Sequence, residues 1–363
     1  MPAQLKTRQV CLFIIAFLPI TKMFVLPSVL AENAAEDMWL SASVSILIDL
    51  ITLIAVIYAC KKANSDFFTL LRLNFGRVGE IIILSAYVLY FSLKAVLPLA
   101  EQRDYVELTL YTLMPTVFYF LPFFIAAFYL CTKKIRVLGR AADVMWFLTV
   151  LGYVILIAMS VTNADFGAIL PVGASGAKRI LSGAYNSLNW FGDAAYILFF
   201  IGNFKAEKGS GIKIIISFLI SALMIILFMI VFYCIFTSIA HRQRFALTEI
   251  SKYTTVINNM GRFDYLGIML ILLSNVFALS LPLYFSCQAL NRIFNFRKEY
   301  FSPLIVIITQ IAVMILFNEK LNGIVNFIKN YASIYFLIVG NVLPIFSVIL
   351  KNKKEQKYAN SEN

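Results

Sequence analysis

Charge is scarce in this 363-residue chain: Asp, Glu, Lys and Arg together make up 14% of it, against about a quarter in ordinary globular domains. A soluble core wrapped in a solvated surface does not come from such a composition. Histidine is scarcer still. The single one, His241, stands in a short connection with no nucleophile pattern beside it. Membrane acyltransferases and polysaccharide ligases rely on a histidine or a large catalytic loop; His241 has no such setting, and the connections are short. No Gly-rich phosphate loop, zinc-protease helix or cluster with metal-ligand spacing occurs, so nothing implies an enzyme, a cofactor or a metal. The five cysteines (Cys11, Cys60, Cys131, Cys234, Cys287) are odd in number and scattered through apolar runs. They form no redox or zinc pair and read as small packing residues.

What the chain has instead is apolar length. Hydrophobic residues make up 61% of it, gathered into ten runs of about 20 residues, the span of a helix across the hydrocarbon core. The runs lie at 9–31, 39–60, 79–100, 116–132, 142–161, 185–204, 212–239, 264–291, 301–317 and 325–350. The expected fold is all-α and integral to the membrane, one transmembrane domain over 1–363 with ten transmembrane helices. Most of the 31 basic residues fall in alternate connections, which places both termini in the cytoplasm. The net charge of +12 thus reports topology and attraction to anionic headgroups of the lipid bilayer, with no nucleic acid as partner. Lys6 and Arg8 ahead of the first run resemble the start of a signal peptide, but Lys22 fits a signal core poorly. The run is read as a retained span.

Ten spans divide into five plus five: 9–161, then 185–350, with a cytoplasmic tail at 351–363 and the weakly hydrophobic link 162–184 between the halves. An odd number of helices per half inverts the second half relative to the first. Inverted repeats place a binding site at mid-membrane between discontinuous helices at equivalent positions, here helices 1 and 6. Both runs carry interruptions. Pro19 and Pro27 each remove an intrahelical donor from the first, and Asn186, Asn189, Gly192, Asp193 and Gly202 punctuate the sixth. The eighth adds Ser274, Asn275, Ser280 and Pro282.

Four charged residues sit deep inside these runs, away from their ends: Lys22, Asp49, Lys94 and Asp193. Each costs roughly 2.5–3.5 kcal/mol at the bilayer centre, so each needs a partner or a task. Lys22, at the first break, can pair with Asp49 or Asp193 or meet a ligand carboxylate. Asp49 reads first as the structural partner of Lys22, and Asp193 as a contact for a ligand amine or ion. Lys94, four residues before Pro98, reads as snorkelling towards the outer interface. The candidate ligand-binding and coupling residues are Lys22, Thr21, Asp49, Gly192, Asp193, Asn189 and Asn275, with Tyr87, Tyr90, Trp190 and Tyr196 as weaker cavity candidates. The basic loop around His241–Arg244 and Lys252 either docks a partner or is simply solvated.

Several stretches resemble the spore permease family, the membrane B subunits of endospore germinant receptors. Leu26-Pro27-Ser28 through Asp37-Met38-Trp39-Leu40-Ser41 is similar to the family's first external turn. Phe75-Gly76-Arg77-Val78-Gly79 resembles its glycine-containing loop, Arg136–Asp143 its Gly-x-x-Arg-x-Ala-acid pattern, and Ile169-Leu170-Pro171-Val172 its leucine-proline link. The resemblance implies an amino acid–polyamine–organocation transporter fold. It further implies partner A and C subunits in a germinant receptor of the spore inner membrane, and a small-molecule germinant such as an amino acid or nucleoside. Relatives of that fold often carry a glycine pair where the first helix unwinds. Ile20-Thr21-Lys22 has none, so the usual carboxylate cradle is either lost or replaced by an ammonium, and Lys22 can also stand where related transporters bind sodium. An autonomous proton-coupled amino-acid transporter is the alternative reading.

Overall fold

In the computed structural model the described residues are 5–62, 67–109, 116–200, 209–252, 264–316, 323, 326–328 and 331–347. They form helices joined by turns, with no strand element among them. The tail 351–363 lies outside the described residues. Among the described residues, four helices are long and apolar enough to cross a membrane: Leu26–Tyr58, Asn74–Tyr105, Ile135–Asn163 and Ser210–Arg242. Their outward faces carry Ile, Leu and Val side chains with no protein cover, as a lipid-facing surface requires.

The first run is broken as its prolines predict. Helix α1 (Thr7–Phe17) stops two residues before Pro19, a short 3₁₀ turn covers Ile20–Lys22, and α2 (Leu26–Ala34) starts again. Pro27 lies in the first turn of α2, where its missing N–H is one the helix leaves unpaired anyway; it opens a helix rather than breaking one. Helix α3 (Met38–Lys62) follows. Helix α4 (Phe67–Thr109) passes through Pro98 and kinks at Gly76, whose φ of 71° suits a residue without Cβ. The kink falls in the glycine-containing loop noted in the sequence. Helices α5 (Thr116–Cys131) and α6 (Ile135–Ser160) complete the first half of the chain.

The second half opens with another interruption, between α7 (Ala177–Ser187) and α8 (Ala194–Phe200). Helix α7 starts eight residues before the boundary expected at 185. Its first turns carry Lys178, Arg179 and Ser182 on an exposed face, so hydropathy alone hides them. Then come α9 (Ser210–Phe236), α10 (Ala246–Lys252), α11 (Asp264–Phe294), α12 (Phe301–Leu316) and α13 (Ser333–Ser347), the last with a π turn over Ile338–Val342.

Polar clamps tie the ends of α4. At one end Glu80 is fully buried and binds Arg77 (3.0 Å) and Arg292 of α11 (3.0 Å). At the other, α4 runs beyond the expected limit at residue 100, and Glu101–Asp104 are buried. There Asp104 pairs with Arg103 and with Arg244, so Arg244 of the basic loop serves an internal contact. Asp37, at the turn into α3, accepts hydrogen bonds from Gly173 N (2.7 Å), Ser175 N (2.8 Å) and Ser175 Oγ (2.7 Å). The first family-like stretch is thereby joined to the residues that directly follow the leucine-proline link. Between α4, α8 and α11 lies an aromatic core in which the Phe91 ring centroid is 5.0 Å from Phe199 and 5.6 Å from Phe285. Cys11, Cys131, Cys234 and Cys287 are buried free thiols; the side chain of Cys60 lies outside the described residues.

Candidate functional site

A broken helix frees backbone groups that need partners when water is absent. At the first break the chain supplies most of them locally. The Leu18 carbonyl accepts from Thr21 Oγ1 (3.1 Å) and from Lys22 Nζ (3.1 Å), and Phe24 O accepts from Ala246 N of α10 (2.9 Å). Lys22 is fully buried.

The second break draws its partners from distant helices. Gly192 takes φ +91°, and a Cβ there would stand 2.3 Å from the Tyr90 hydroxyl. Gly192 N donates to both oxygens of Asp49 (3.0 and 2.9 Å), and Asp193 N to Asp49 Oδ2 (3.1 Å). Asn341 Nδ2, from the π turn of α13, donates to Asp49 Oδ1 (3.0 Å). Tyr90 Oη of α4 donates to Gly192 O (3.0 Å), and Lys94 Nζ donates to Phe191 O. Asp49 therefore caps the unwound segment and is not the partner of Lys22, contrary to the expectation from sequence. Its oxygens are already occupied by two backbone N–H groups and an amide.

The partner of Lys22 is Asp193. Lys22 Nζ lies 2.7 Å from Asp193 Oδ2, and Lys94 Nζ lies 3.9 Å from Asp193 Oδ1. One carboxylate thus holds two ammonium groups across the two breaks. Aromatic faces add to the cations' stabilisation: Lys22 sits 5.3 Å from the Phe191 centroid, and Lys94 lies 5.2 Å from Tyr196 and 5.5 Å from Tyr90. Lys94 does not snorkel. It is only 7% exposed, because α4 continues well past Pro98 and leaves it deep in the bundle with a carbonyl, a carboxylate and two rings as neighbours.

Counted with all four ionised, Lys22 and Lys94 balance Asp49 and Asp193. Taking either charge away alone leaves an uncompensated one in a low-dielectric setting, which is the costly change.

Beside the Lys22–Asp193 pair is a cavity lined by Thr21, Lys94, Asn189, Asp193, Trp190 and Tyr196, with Leu281 and Pro282 of α11 on the far wall. The space open to the centre of a water molecule is about 30 Å³, room for about two waters. Of the residues expected from sequence, Lys22, Thr21, Asp49, Gly192, Asp193 and Asn189 gather around the two breaks. Asn275 is on α11, and its side chain lies outside the described residues. Ser280 turns back onto Val276 O (2.7 Å). Tyr87 packs against Phe67 and Phe199 in the aromatic core, away from the cavity lining. Sequence reasoning missed Asn341. Its signal was slight, one amide after Gly340 in an apolar run, and the π turn that aims it belongs to a class of bulge often found at functional sites.

A family model described as spore germination protein matches residues 4–322. The chain belongs to the spore germination protein family. Spore germination protein KB of Bacillus subtilis (strain 168) is 23% identical over 376 residues, covering 99% of this chain and 98% of that protein. Among solved structures, a variant of the Eremococcus coleocola manganese transporter aligns with a TM-score of 0.61 at 11% identity, covering 93% of this chain and 78% of that one. The same transporter with an aromatic bis-isothiourea compound bound aligns at 0.53, also at 11% identity and over the same shares of each chain. That likeness is one of fold. Family, fold and apolar helices together make this germination protein a permease-like, multi-pass membrane protein.

Proposed function

We propose that this chain is the germinant-sensing, permease-like subunit of a spore germination receptor, and that it binds an amino acid between its interrupted helices. The observation that carries the reading is the buried Lys22–Asp193 pair (2.7 Å), shared with Lys94 and set against a cavity. A zwitterion can exchange into such a pair. Its carboxylate takes the two ammonium groups and its ammonium takes Asp193, so the charge balance of the site is kept throughout. A nucleoside lacks that pair of charges and is the less suited guest. Two ammonium groups likewise disfavour a bare metal cation, so the cargo of the manganese transporter does not carry over.

The reading includes a ten-helix 5+5 inverted repeat, with α1/α2 and α7/α8 as the equivalent discontinuous helices. It also includes the spore inner membrane as location, cytoplasmic termini, and A and C subunits that read the shift. The ligand acts by preferring one packing of the bundle over another.

A thermal-shift screen of amino acids and nucleosides on the purified chain tests this. The expected result is a shift with a specific amino acid that Asp193→Asn abolishes; a shift preserved in that variant moves the site elsewhere. The same buried pair suits an autonomous proton-coupled transporter. Liposomes that accumulate labelled amino acid under a proton gradient establish transport, and liposomes that bind without accumulating it establish sensing.

A further inference from the structure

Away from the central site, a second pocket opens at the end of the bundle where α1 and α9 begin. It has a volume of about 680 Å³ and is lined by Lys6, Thr7 and Arg8 on one side and by Lys213, Ile216 and Ser217 on the other. Three cations converge there. Arg8 is partly neutralised by Asp143 at 3.0 Å. Among the described residues no carboxylate lies within ion-pair distance of Lys6 or Lys213. The first turn of α1, with Thr7 and Arg8, lines the same pocket, and its positive dipole end adds to the field.

The surroundings say what kind of anion belongs there. Directly below the pocket runs a stripe of uncovered apolar side chains on α9: Ile212, Ile216, Leu219, Ile220, Leu223 and Leu227. Their spacing of three and four residues keeps them on one helix face, continuous with the pocket through Ile216. A free ion has no use for such a stripe, whereas acyl chains do. We infer that this pocket binds the phosphate headgroup of an anionic phospholipid whose chains lie along the outer face of α9. Basic pockets between membrane helices are suited to such headgroups. Because α1 leads directly into the first break, an occupied pocket would steady the helix that precedes Leu18 and Lys22.

The test uses the purified full-length chain in detergent, with lipid binding followed by native mass spectrometry and thermal shift. Phosphatidylglycerol and cardiolipin are compared with phosphatidylcholine and with inorganic phosphate. Anionic lipid should bind and stabilise, while phosphatidylcholine and phosphate should not. In Lys6→Gln/Lys213→Gln the lipid concentration giving half the shift should rise on the order of tenfold. In Lys133→Gln/Lys134→Gln, which removes two exposed charges from another connection, it should stay unchanged. An equal loss in both variants would reduce the effect to diffuse surface charge and overturn the site. Inorganic phosphate reproducing the shift would make it a soluble-anion site and overturn the lipid. Should the double variant fail to yield folded protein, Lys6→Gln and Lys213→Gln are measured singly. Each is then expected to lose part of the response, and no loss in either overturns the proposal.

Discussion

The two helix interruptions solve the same problem in opposite ways. Between Phe17 and Leu26 the chain breaks itself: Pro19 ends α1, Thr21 and Lys22 turn back onto Leu18 O, and Pro27 opens α2. Between Ser187 and Ala194 there is no proline, and the unwound segment is held from outside by Asp49, Tyr90, Lys94 and Asn341. The first break is encoded mainly by local contacts, the second mainly by tertiary ones. The first should therefore keep its shape on loss of Pro27, while the second should not keep its own on loss of Asp49.

The sharpest way to break the comparison is Asp49→Ala. It strips the acceptor from Gly192 N and Asp193 N and leaves Lys22 and Lys94 with one carboxylate between them. A loss of about 3–5 kcal/mol is expected, read as a large fall in melting temperature or failure to recover monodisperse protein. A smaller loss would mean that the second break holds without its cap. Next comes Gly192→Ala, expected to cost about 1–3 kcal/mol for the left-handed backbone plus the clash with Tyr90 Oη. Adding Tyr90→Phe removes the clash but also the hydrogen bond to Gly192 O, so the double variant should lose less than the sum of the two single losses.

A third test separates charge from structure within the shared pair. Lys22→Met and Asp193→Asn should each destabilise more than the double variant does, since removing both partners of a buried pair is far milder than removing one. Additive effects in thermal denaturation would show that the two side chains do not act together. The smallest effect is expected at the first break. Pro27→Ala should change stability by less than about 1 kcal/mol, because the proline occupies a helix start that alanine also tolerates. A drop as large as that of Gly192→Ala would erase the distinction between the two breaks.

The same contrast explains what could be read from the chain before its fold was known. Lys22 between two prolines, and Asp193 after Gly192, announce themselves because charges and helix breakers are rare in apolar runs. The all-helical class and the membrane-crossing length of its longest helices follow from run length alone. Lys94 was misplaced because hydropathy falls at Glu101, which made the helix look finished just beyond Pro98. In the fold those charged residues are buried among themselves, and the helix continues to Thr109. The pairing of Asp193 rather than Asp49 with Lys22 could not be read, since it depends on backbone N–H groups that become donors only where the chain unwinds between α7 and α8. Asn341 was hidden for a similar reason, as its aim depends on a π turn.

The narrowness of the central chamber has a kinetic side. With room for only about two waters, it admits no guest of amino-acid size until neighbouring helices part. Capture should then be governed by how often the bundle breathes open, and observed association rates should level off as the solute is made more concentrated instead of climbing in proportion.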